Sequence, residues 1–380
     1  MTLTVESRQR VTDARGSAID ELVVNVGPSH PSTHGVCRVI AHLEGEIVTK
    51  ADPVIGYLHR GIEKMAENRT YLQVVPLTDR LDYVGSMYAN WAYCRSVERL
   101  AGITVPERAE YLRVITCELQ RIASHMMAIG SSAADTGAST MFLYAFEVRE
   151  RIIEMFEELC GSRLTYNYVR PGGVSFDLPE GWVDLCRTFC EGLTDKLAEM
   201  DRLFFGNVIT RGRMKGVGVL SAEDAVGWGA SGPVARGSGV DWDLRKDDAY
   251  SVYPRFDFEV PLGDAGDCYD RARVRLFESY ESGTIVMQAL EQMEPGPVNA
   301  PVSRLIAPRA GEAYDHIESA RGSLGVYLVS DGSPRPYRMK VRSPAFCNLA
   351  LLKVLAPGHT LSDLVVILGS LDPVFGEVDR

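Results

Sequence analysis

The stretch that decides the fold covers residues 105–130 and reads VPERAEYLRVITCELQRIASHMMAIG. Its apolar side chains recur at steps of three and four residues, which is the period of an amphipathic α-helix; they are Leu112, Ile115, Leu119 and Ile122. Pro106 stands near the start, where a helix tolerates proline because the first turn needs no backbone donor. The stretch therefore predicts one long helix.

Four further segments show the same helical period. They are YANWAYCRSVERLAG, FLYAFEVRERIIEMFEELCG, WVDLCRTFCEGLTDKLAEMDRLF and AGDCYDRARVRLFESYESGTIVMQALEQM. The first of them ends at Gly102, and glycine commonly closes the C-terminus of a helix. Long helices separated by short loops favour a helical bundle.

Strand-like segments precede and follow these helices. ELVVNVG, VCRVIAHLEG and EIVTKADPVIG are β-branched and alternating, so they predict a small antiparallel N-terminal sheet. GVYLVSDG and YRMKVRS predict strands near the C-terminus, before a helix near residues 348–355. Strands, then helices, then strands indicate an α+β fold.

This pattern predicts four parts of the chain. They are a polar, mobile N-terminal segment (1–20), a β subdomain (21–60), a bundle core (61–320) with a Gly-rich insertion near 210–261, and a C-terminal β/helix segment (321–380). No apolar run is long enough to predict a membrane span. In residues 126–146 the only charge is Asp135, and small polar residues there favour two buried helices joined at a corner. We expect a soluble protein that meets a membrane only through partners.

Composition excludes some functions. The 380 residues include 40 Lys and Arg against 51 Asp and Glu, a net charge of −11, which disfavours coating nucleic acid or anionic lipid, although a local basic patch could exist. The eight cysteines form no C-x-x-C pair. Cys186 and Cys190 share one helix face and could bind a metal, but buried free thiols are the preferred interpretation.

Two segments concentrate chemically capable side chains. In GPSHPSTHG, Pro28 and Pro31 prevent a regular helix, so His30 and His34 lie on a loop, either as functional groups or as incidental residues. GYLHRGIEKMAENRTYLQVVPLTDRLDY is dense in charge, and its like charges four residues apart fit a solvated helix face poorly. Partners elsewhere in the chain would explain them better.

Seven blocks in order along the chain resemble one family. They are VGPSHPSTHGVCRV, IGYLHRGIEK, RTYLQVVPLTDRLDYV, YVRPGGVSFDLP, FDFEVPLGDAGDCYDR, YLVSDGSPRPYRMKVRSP and GSLDPVFGEVDR, from about residue 23 to residue 380. These blocks look like the 49-kDa-type subunit of respiratory complex I, which is related to the large subunit of NiFe hydrogenases. The resemblance implies a hydrogenase-like fold without the metal, because both cysteine pairs that would hold nickel and iron are missing.

The resemblance also implies roles for particular residues. His34 and Tyr83 match residues that contact the quinone headgroup, and Asp135 matches the partner of that histidine. Arg60 matches an arginine beside the terminal [4Fe-4S] cluster of a neighbouring subunit. Many relatives have a histidine where this chain has Thr165, so we expect a cluster potential nearly independent of pH between about 6 and 8, since threonine does not titrate. Relatives tend to have an acid where this chain has Trp91.

Cofactors, partners and location follow from the same resemblance. The chain itself is expected to bind no cofactor and no metal; quinone is its substrate, and NADH and FMN bind elsewhere in the complex. Expected partners are the cluster-bearing B subunit, the C subunit and the membrane-embedded H subunit, on the cytoplasmic side of a bacterial cell membrane. The quinone could be ubiquinone or, as the change at Thr165 would suit, menaquinone. Alternatives are a sister complex fed by ferredoxin or another donor, and a scaffold role without contact to quinone.

Overall fold

Helix α4 (Glu107–Asp135) lies at the centre of the computed structural model, which describes residues 3–12, 18–30 and 33–380. Pro106 occupies its N-cap, as the sequence predicted, and α4 packs against α5 (Ser139–Cys160), α11 (Cys268–Gln292) and α14 (Leu361–Leu371). Most of its residues are buried on every side, which is typical of a helix enclosed by neighbouring helices. The predicted bundle is therefore present, and it is built around the stretch that predicts it.

The remaining helices surround this centre. They are α1 (Ile62–Ala66), α2 (Tyr71–Thr78), α3 (Ser86–Ala101), α6 (Trp182–Met200), α7 (Val208–Met214), α8 (Ala222–Gly227), α9 (Pro233–Arg236), α10 (Leu244–Asp247), α12 (Pro344–Ala350), α13 (Leu352–Leu355) and α15 (Phe375–Asp379). A π-helix (Asp201–Phe205) extends α6, and a 3₁₀ turn covers Tyr253–Arg255. Gly102 closes α3 in the left-handed conformation, as predicted.

The strands form two larger sheets and two short hairpins. The N-terminal sheet has the order β1-β2-β5-β6 and the C-terminal sheet the order β11-β10-β9, with antiparallel neighbours throughout. The strands are β1 (Leu3–Thr12), β2 (Ala18–Val26), β3 (Ser29–His30), β4 (Gly35–Val36), β5 (Arg38–Glu44), β6 (Ile47–Val54), β7 (Val169–Arg170), β8 (Gly173–Val174), β9 (Gly311–Ser319), β10 (Gly322–Ser330) and β11 (Arg338–Arg342). The α+β prediction is confirmed.

Two predicted boundaries differ from the structure. Strand β1 and the beginning of β2 lie within residues 1–20, which the sequence assigned to a separate mobile segment; residues 1–2 and 13–17 of that segment lie outside the described residues. Strand β9 lies within the predicted bundle, because GEAYDHIES shows no regular alternation of apolar and polar residues. The boundary at 320/321 thus falls inside a hairpin, between β9 and β10.

The apolar stretch around Asp135 forms the predicted corner. Helix α4 ends at Asp135 and α5 begins at Ser139, with Gly137 between them at a φ of 90°. Across the described residues, none of the helices combines the length and apolar character that a membrane span requires. The corner places Asp135 at the end of the central helix.

Candidate functional site

The first loop holds His34 in an unusual backbone conformation. Its φ is 54°, in the left-handed region that few residues other than glycine adopt. The buried Thr33 hydroxyl lies 2.7 Å from the His30 carbonyl and 2.8 Å from the Gly35 carbonyl, which ties the loop together. A Cβ at Gly35 would lie 2.6 Å from the Phe375 ring, so glycine is required there. The loop is therefore fixed against the C-terminal end of the chain.

His34 and Asp135 form a hydrogen-bonded pair. His34 Nε2 lies 2.7 Å from Asp135 Oδ2, and the two side chains are 13% and 15% exposed. Gly369 of α14 packs against the pair: a Cβ there would lie 2.9 Å from His34 Nε2 and 3.0 Å from Asp135 Oδ2. Both residues were candidates from the sequence, although 101 positions separate them. The structure brings them together and leaves His34 Nδ1 without a hydrogen bond to any described residue.

Tyr83 lies at the surface above a buried ionic cluster. Its side chain is 36% exposed, and its hydroxyl makes no hydrogen bond within the described part of the chain. The neighbouring Asp82 is buried and accepts hydrogen bonds from the backbone N–H groups of Val84 and Gly85 and from Arg321 Nη1 at 2.7 Å. Burial raises the pKa of Tyr83 above its ordinary value. The phenol therefore stays protonated until a strong base meets it.

Arg60 is held by carbonyl groups and pairs with no carboxylate of the described residues. Its Nη2 donates to the Arg80 carbonyl at 2.6 Å and to the Gly376 carbonyl at 3.1 Å. Burial lowers the pKa of Arg60, and Tyr83 is near enough to interact with it electrostatically. Because no described carboxylate pairs with it, the guanidinium charge remains available to an anionic group.

Residues 369–380, the C-terminal segment, connect these parts. Gly369 touches the His34–Asp135 pair, and Asp372 pairs with Arg321, which also binds Asp82 beside Tyr83. Further along, the Asp379 carboxylate accepts from the backbone N–H groups just before Arg60, those of Gly56 at 2.8 Å and Leu58 at 2.7 Å. No hydrogen bond joins His34 to Tyr83 among the described residues. Their common neighbour is this segment.

A cavity of about 610 Å³ opens beside the pair. Among its lining residues are His30, Asp135, Arg213, Ser362 and Val365, which combine polar groups with apolar walls. His34 and Tyr83 do not line it. The cavity is thus on the Asp135 side of the pair, between the N-terminal sheet and the start of α14.

Comparison with known proteins identifies the family. The family model described as "Respiratory-chain NADH dehydrogenase, 49 Kd subunit" matches residues 135–310 and 301–380. The chain belongs to this family. It is 51% identical to the D subunit of the NADH-quinone oxidoreductase of Desulforamulus reducens over 360 residues, covering 95% of this chain and 98% of that protein. The D subunits of Clostridium beijerinckii and Bacillus anthracis are each 50% identical over 361 residues, covering 95% of this chain and 98% and 99% of theirs.

Glu377 and Val374 belong to the block GSLDPVFGEVDR, in which the resemblance implies the loss of a cysteine pair. Both are buried. Glu377 Oε1 accepts from the Ser343 hydroxyl at 2.6 Å and from the Ala345 N–H at 3.1 Å. Burial, reinforced by the Asp82 charge, raises the pKa of Glu377 to about 7. A structural carboxyl group thus occupies this position. Nowhere in the described ranges do three His, Cys, Asp or Glu residues cluster so as to hold a metal.

The charged patch has the long-range partners that its like-charge spacing predicted. Glu63 pairs with Lys340 at 3.1 Å, and Glu67 pairs with Arg338 at 3.1 Å, so helix α1 is clamped to strand β11. These contacts explain the carboxylates at positions 63 and 67 structurally. They also hold the short helix that follows Arg60.

The two departures from the family pattern have different surroundings. Trp91 is fully buried and packs on Tyr250 and Tyr253, with ring centroids 5.3 and 6.2 Å away, so it belongs to an aromatic cluster in the core. Thr165 has a φ of 54°. Its side chain does not titrate, and the pH-independent cluster potential stays a prediction. Cys186 and Cys190 are both buried free thiols on α6.

Single-sequence reasoning missed three residues of the site. Gly369 was not singled out, although it permits the contact between His34 and Asp135. Arg321 and Asp372 were also missed, although they link Asp82 to the C-terminal segment. The block GSLDPVFGEVDR indicated that the C-terminal segment matters, but the spacing of its residues does not show which of them contacts the first loop.

Proposed function

We propose that this chain forms the quinone-reduction site of a proton-pumping NADH:quinone oxidoreductase. The observation that carries the proposal is the partly exposed His34–Asp135 pair, which the C-terminal segment connects to the surroundings of Tyr83 and Arg60. Family membership supports the setting, because the relatives are named as subunits of NADH-quinone oxidoreductase. A scaffold role would not require a titratable pair and a phenol left open at the surface.

The two side chains suit the chemistry of quinone reduction. A quinone that takes up two electrons must also take up two protons to become a quinol. His34 Nε2 is occupied by Asp135, so in the imidazolium form Nδ1–H is the group that can donate to one quinone oxygen. The Tyr83 hydroxyl can donate to the other. A phenol with a raised pKa gives up its proton only to a strong base, which the reduced quinone oxygen is.

Asp135 acts through His34. A carboxylate that accepts from one imidazole nitrogen fixes the tautomer and stabilises the imidazolium when it forms. Gly369 of α14 lies against both side chains, so a larger residue at this position would collide with the pair. Asp135 therefore positions the proton on His34.

Arg60 would face the terminal [4Fe-4S] cluster of the neighbouring subunit. An arginine held only by carbonyl groups keeps its full charge for an anionic neighbour. A positive charge beside a cluster raises its reduction potential by stabilising the added electron. The cluster supplies the electrons, and this chain supplies the groups that bind and protonate the quinone.

The partners and location follow from this role. The cluster-bearing B subunit lies next to Arg60, the C subunit is a second soluble neighbour, and the membrane-embedded H subunit admits the quinone. NADH and FMN bind elsewhere in the complex. The chain is therefore a peripheral component on the cytoplasmic side of the membrane.

A photoreactive quinone tests the proposal in the purified complex. The azido-quinone should label peptides containing His34 or Tyr83, and excess unlabelled quinone should suppress the labelling. The matched control is Tyr337, an exposed tyrosine on the C-terminal side of β10, whose peptide should stay unlabelled. Labelling confined to other polypeptides of the complex would refute the proposal and favour the scaffold role.

A further inference from the structure

A groove lies between the end of helix α3 and the segment 301–309, PVSRLIAPR, and we call it the arginine groove. Residues 99–103 form one wall and residues of the 301–309 segment form the other, around a volume of about 730 Å³. The segment forms neither a helix nor a strand and leads into β9. The groove shares no lining residue with the cavity beside the His34–Asp135 pair, so the two are separate features of the surface.

Positive charge prevails along both walls of the arginine groove. Residues 99–106 and 295–311 contain no Asp or Glu, but they contain Arg99, Arg304 and Arg309. Arg99 and Arg309 line the groove, and Arg304 stands between two lining residues. Arg99 Nη1 donates to a backbone carbonyl of β9 at 3.0 Å, and within the described part of the chain none of the three guanidinium groups pairs with a carboxylate. In a chain with a net charge of −11, these arginines attract an anionic partner to this place.

The backbone of the 301–309 segment has unpaired hydrogen-bond donors. Ile306 and Pro308 are buried and hold the segment in place, and the Pro308 carbonyl accepts from the Ser330 hydroxyl at 2.9 Å. Five backbone N–H groups of exposed or half-buried residues donate to no described residue; they belong to Val302, Ser303, Arg304, Ala307 and Arg309. Leu305, which is 56% exposed, adds an apolar side chain to the lining. The groove therefore combines cations, unpaired backbone donors and apolar surface.

We propose that the arginine groove binds an acidic, extended segment of another subunit of the complex. Acidic side chains of that segment meet the three guanidinium groups, and its backbone carbonyl groups accept from the unpaired N–H groups. An apolar side chain of the same segment packs on Leu305. As a subunit of an NADH-quinone oxidoreductase, the chain has other polypeptides as neighbours. This surface is distinct from the proposed quinone site and does not depend on it.

An extended acidic chain fits the arginine groove better than other anionic partners do. Most carbonyl groups of a helix are already bonded within the helix, so a helical partner would leave the N–H groups of the groove unpaired. Nucleic acid would meet the guanidinium groups, but the net charge of −11 would repel it from the rest of the surface. A small anion would leave the exposed side chain of Leu305 without a contact.

Photo-crosslinking in the purified complex identifies the occupant. Benzoylphenylalanine replaces Leu305, and mass spectrometry locates the adduct within the sequence of the captured polypeptide. The expected adduct lies in another subunit, in a segment where Asp and Glu outnumber Lys and Arg. The control replaces Leu143 on α5, which is 68% exposed and lies outside the groove, and it should not capture that segment. An adduct to a second copy of this chain or to a segment without excess acid, or no adduct at all, would overturn the proposal.

Charge removal tests the arginines separately. The double variant R304Q/R309Q, combined with benzoylphenylalanine at Leu305, should lower the adduct yield about fivefold, which corresponds to about 1 kcal/mol for two exposed ion pairs. The matched control R151Q/R163Q removes two exposed arginines that already pair with carboxylates of this chain, and it should leave the yield unchanged. Yields are compared per amount of assembled complex, measured by native gel electrophoresis. Equal yields in the two double variants would refute the proposal.

Discussion

Helix α4 contributes to two histidine–carboxylate pairs with nearly the same geometry and different surroundings. His34 binds Asp135 at 2.7 Å, and His125 binds Glu278 at 2.8 Å. The His125–Glu278 pair is fully buried, and Glu278 also accepts from Arg236 Nε at 2.7 Å. The His34–Asp135 pair is partly exposed and beside a cavity. The hydrogen bond alone therefore does not distinguish a functional pair from a structural one.

The two histidine–carboxylate pairs differ in how deeply they are buried and in the charged residues that surround them. Burial lowers the pKa of His125 to about 4, so this imidazole stays neutral near pH 7 and donates from Nε2 to the Glu278 carboxylate. Arg236 in turn contacts Glu318 at 2.8 Å and Asp243 at 3.4 Å. Such a network is costly to interrupt, because removing one member leaves an uncompensated buried charge. Among the described residues no arginine pairs with His34 or Asp135, and both side chains are partly exposed, so removing one of them leaves less uncompensated buried charge.

The largest expected effect is therefore on the buried pair. E278A should destabilise the fold by about 3–5 kcal/mol and reduce the amount of assembled complex severely. D135A, in the partly exposed pair, should assemble at nearly the wild-type level. Native gel electrophoresis of membranes measures both. Equal assembly of the two variants would show that the pairs do not differ as described.

An intermediate effect is expected where α14 touches the open pair. G369A places a Cβ 2.9 Å from His34 Nε2 and should weaken the contact with Asp135, lowering quinone reductase activity by about tenfold. The control is G192A on α6, where a Cβ would meet nothing within 4 Å. Steady-state assays of both purified complexes provide the test. Wild-type activity in G369A would mean that the close approach is unimportant.

The smallest effect concerns the pH dependence of stability. Because burial raises the pKa of Glu377 to about 7, the unfolded chain releases this proton at lower pH than the folded chain does. The contribution of Glu377 to the free energy of unfolding is thus fully present below about pH 4.5 and is lost as the pH rises towards 7. The side chain in E377Q resembles the protonated form of Glu377. The ratio of the heat-inactivation half-life of E377Q to that of the wild type should therefore be a few-fold larger at pH 8 than at pH 5. A ratio of heat-inactivation half-lives that does not change with pH would contradict this.

The sequence predicted the helices better than the contacts between them. The long helix α4 and the corner after it follow from periodicity and from small residues around Asp135, which are local properties. Strand β9 was missed because its side chains do not alternate. The contact of Gly369 with His34 joins residues far apart in the chain, and no local pattern encodes it. The resemblance supplied His34, Tyr83, Asp135 and Arg60, but the structure was needed to show which atoms meet.

Quinone reduction by the variants H34A and Y83F tests the central claim most directly. Both complexes should assemble and should oxidise NADH with an artificial one-electron acceptor at the wild-type rate, because electron entry does not use these side chains. Both should reduce the native quinone at least about a hundredfold more slowly, the lower end of the range for the loss of a proton donor. Normal turnover of native quinone by both variants would contradict the claim that His34 and Tyr83 protonate the headgroup.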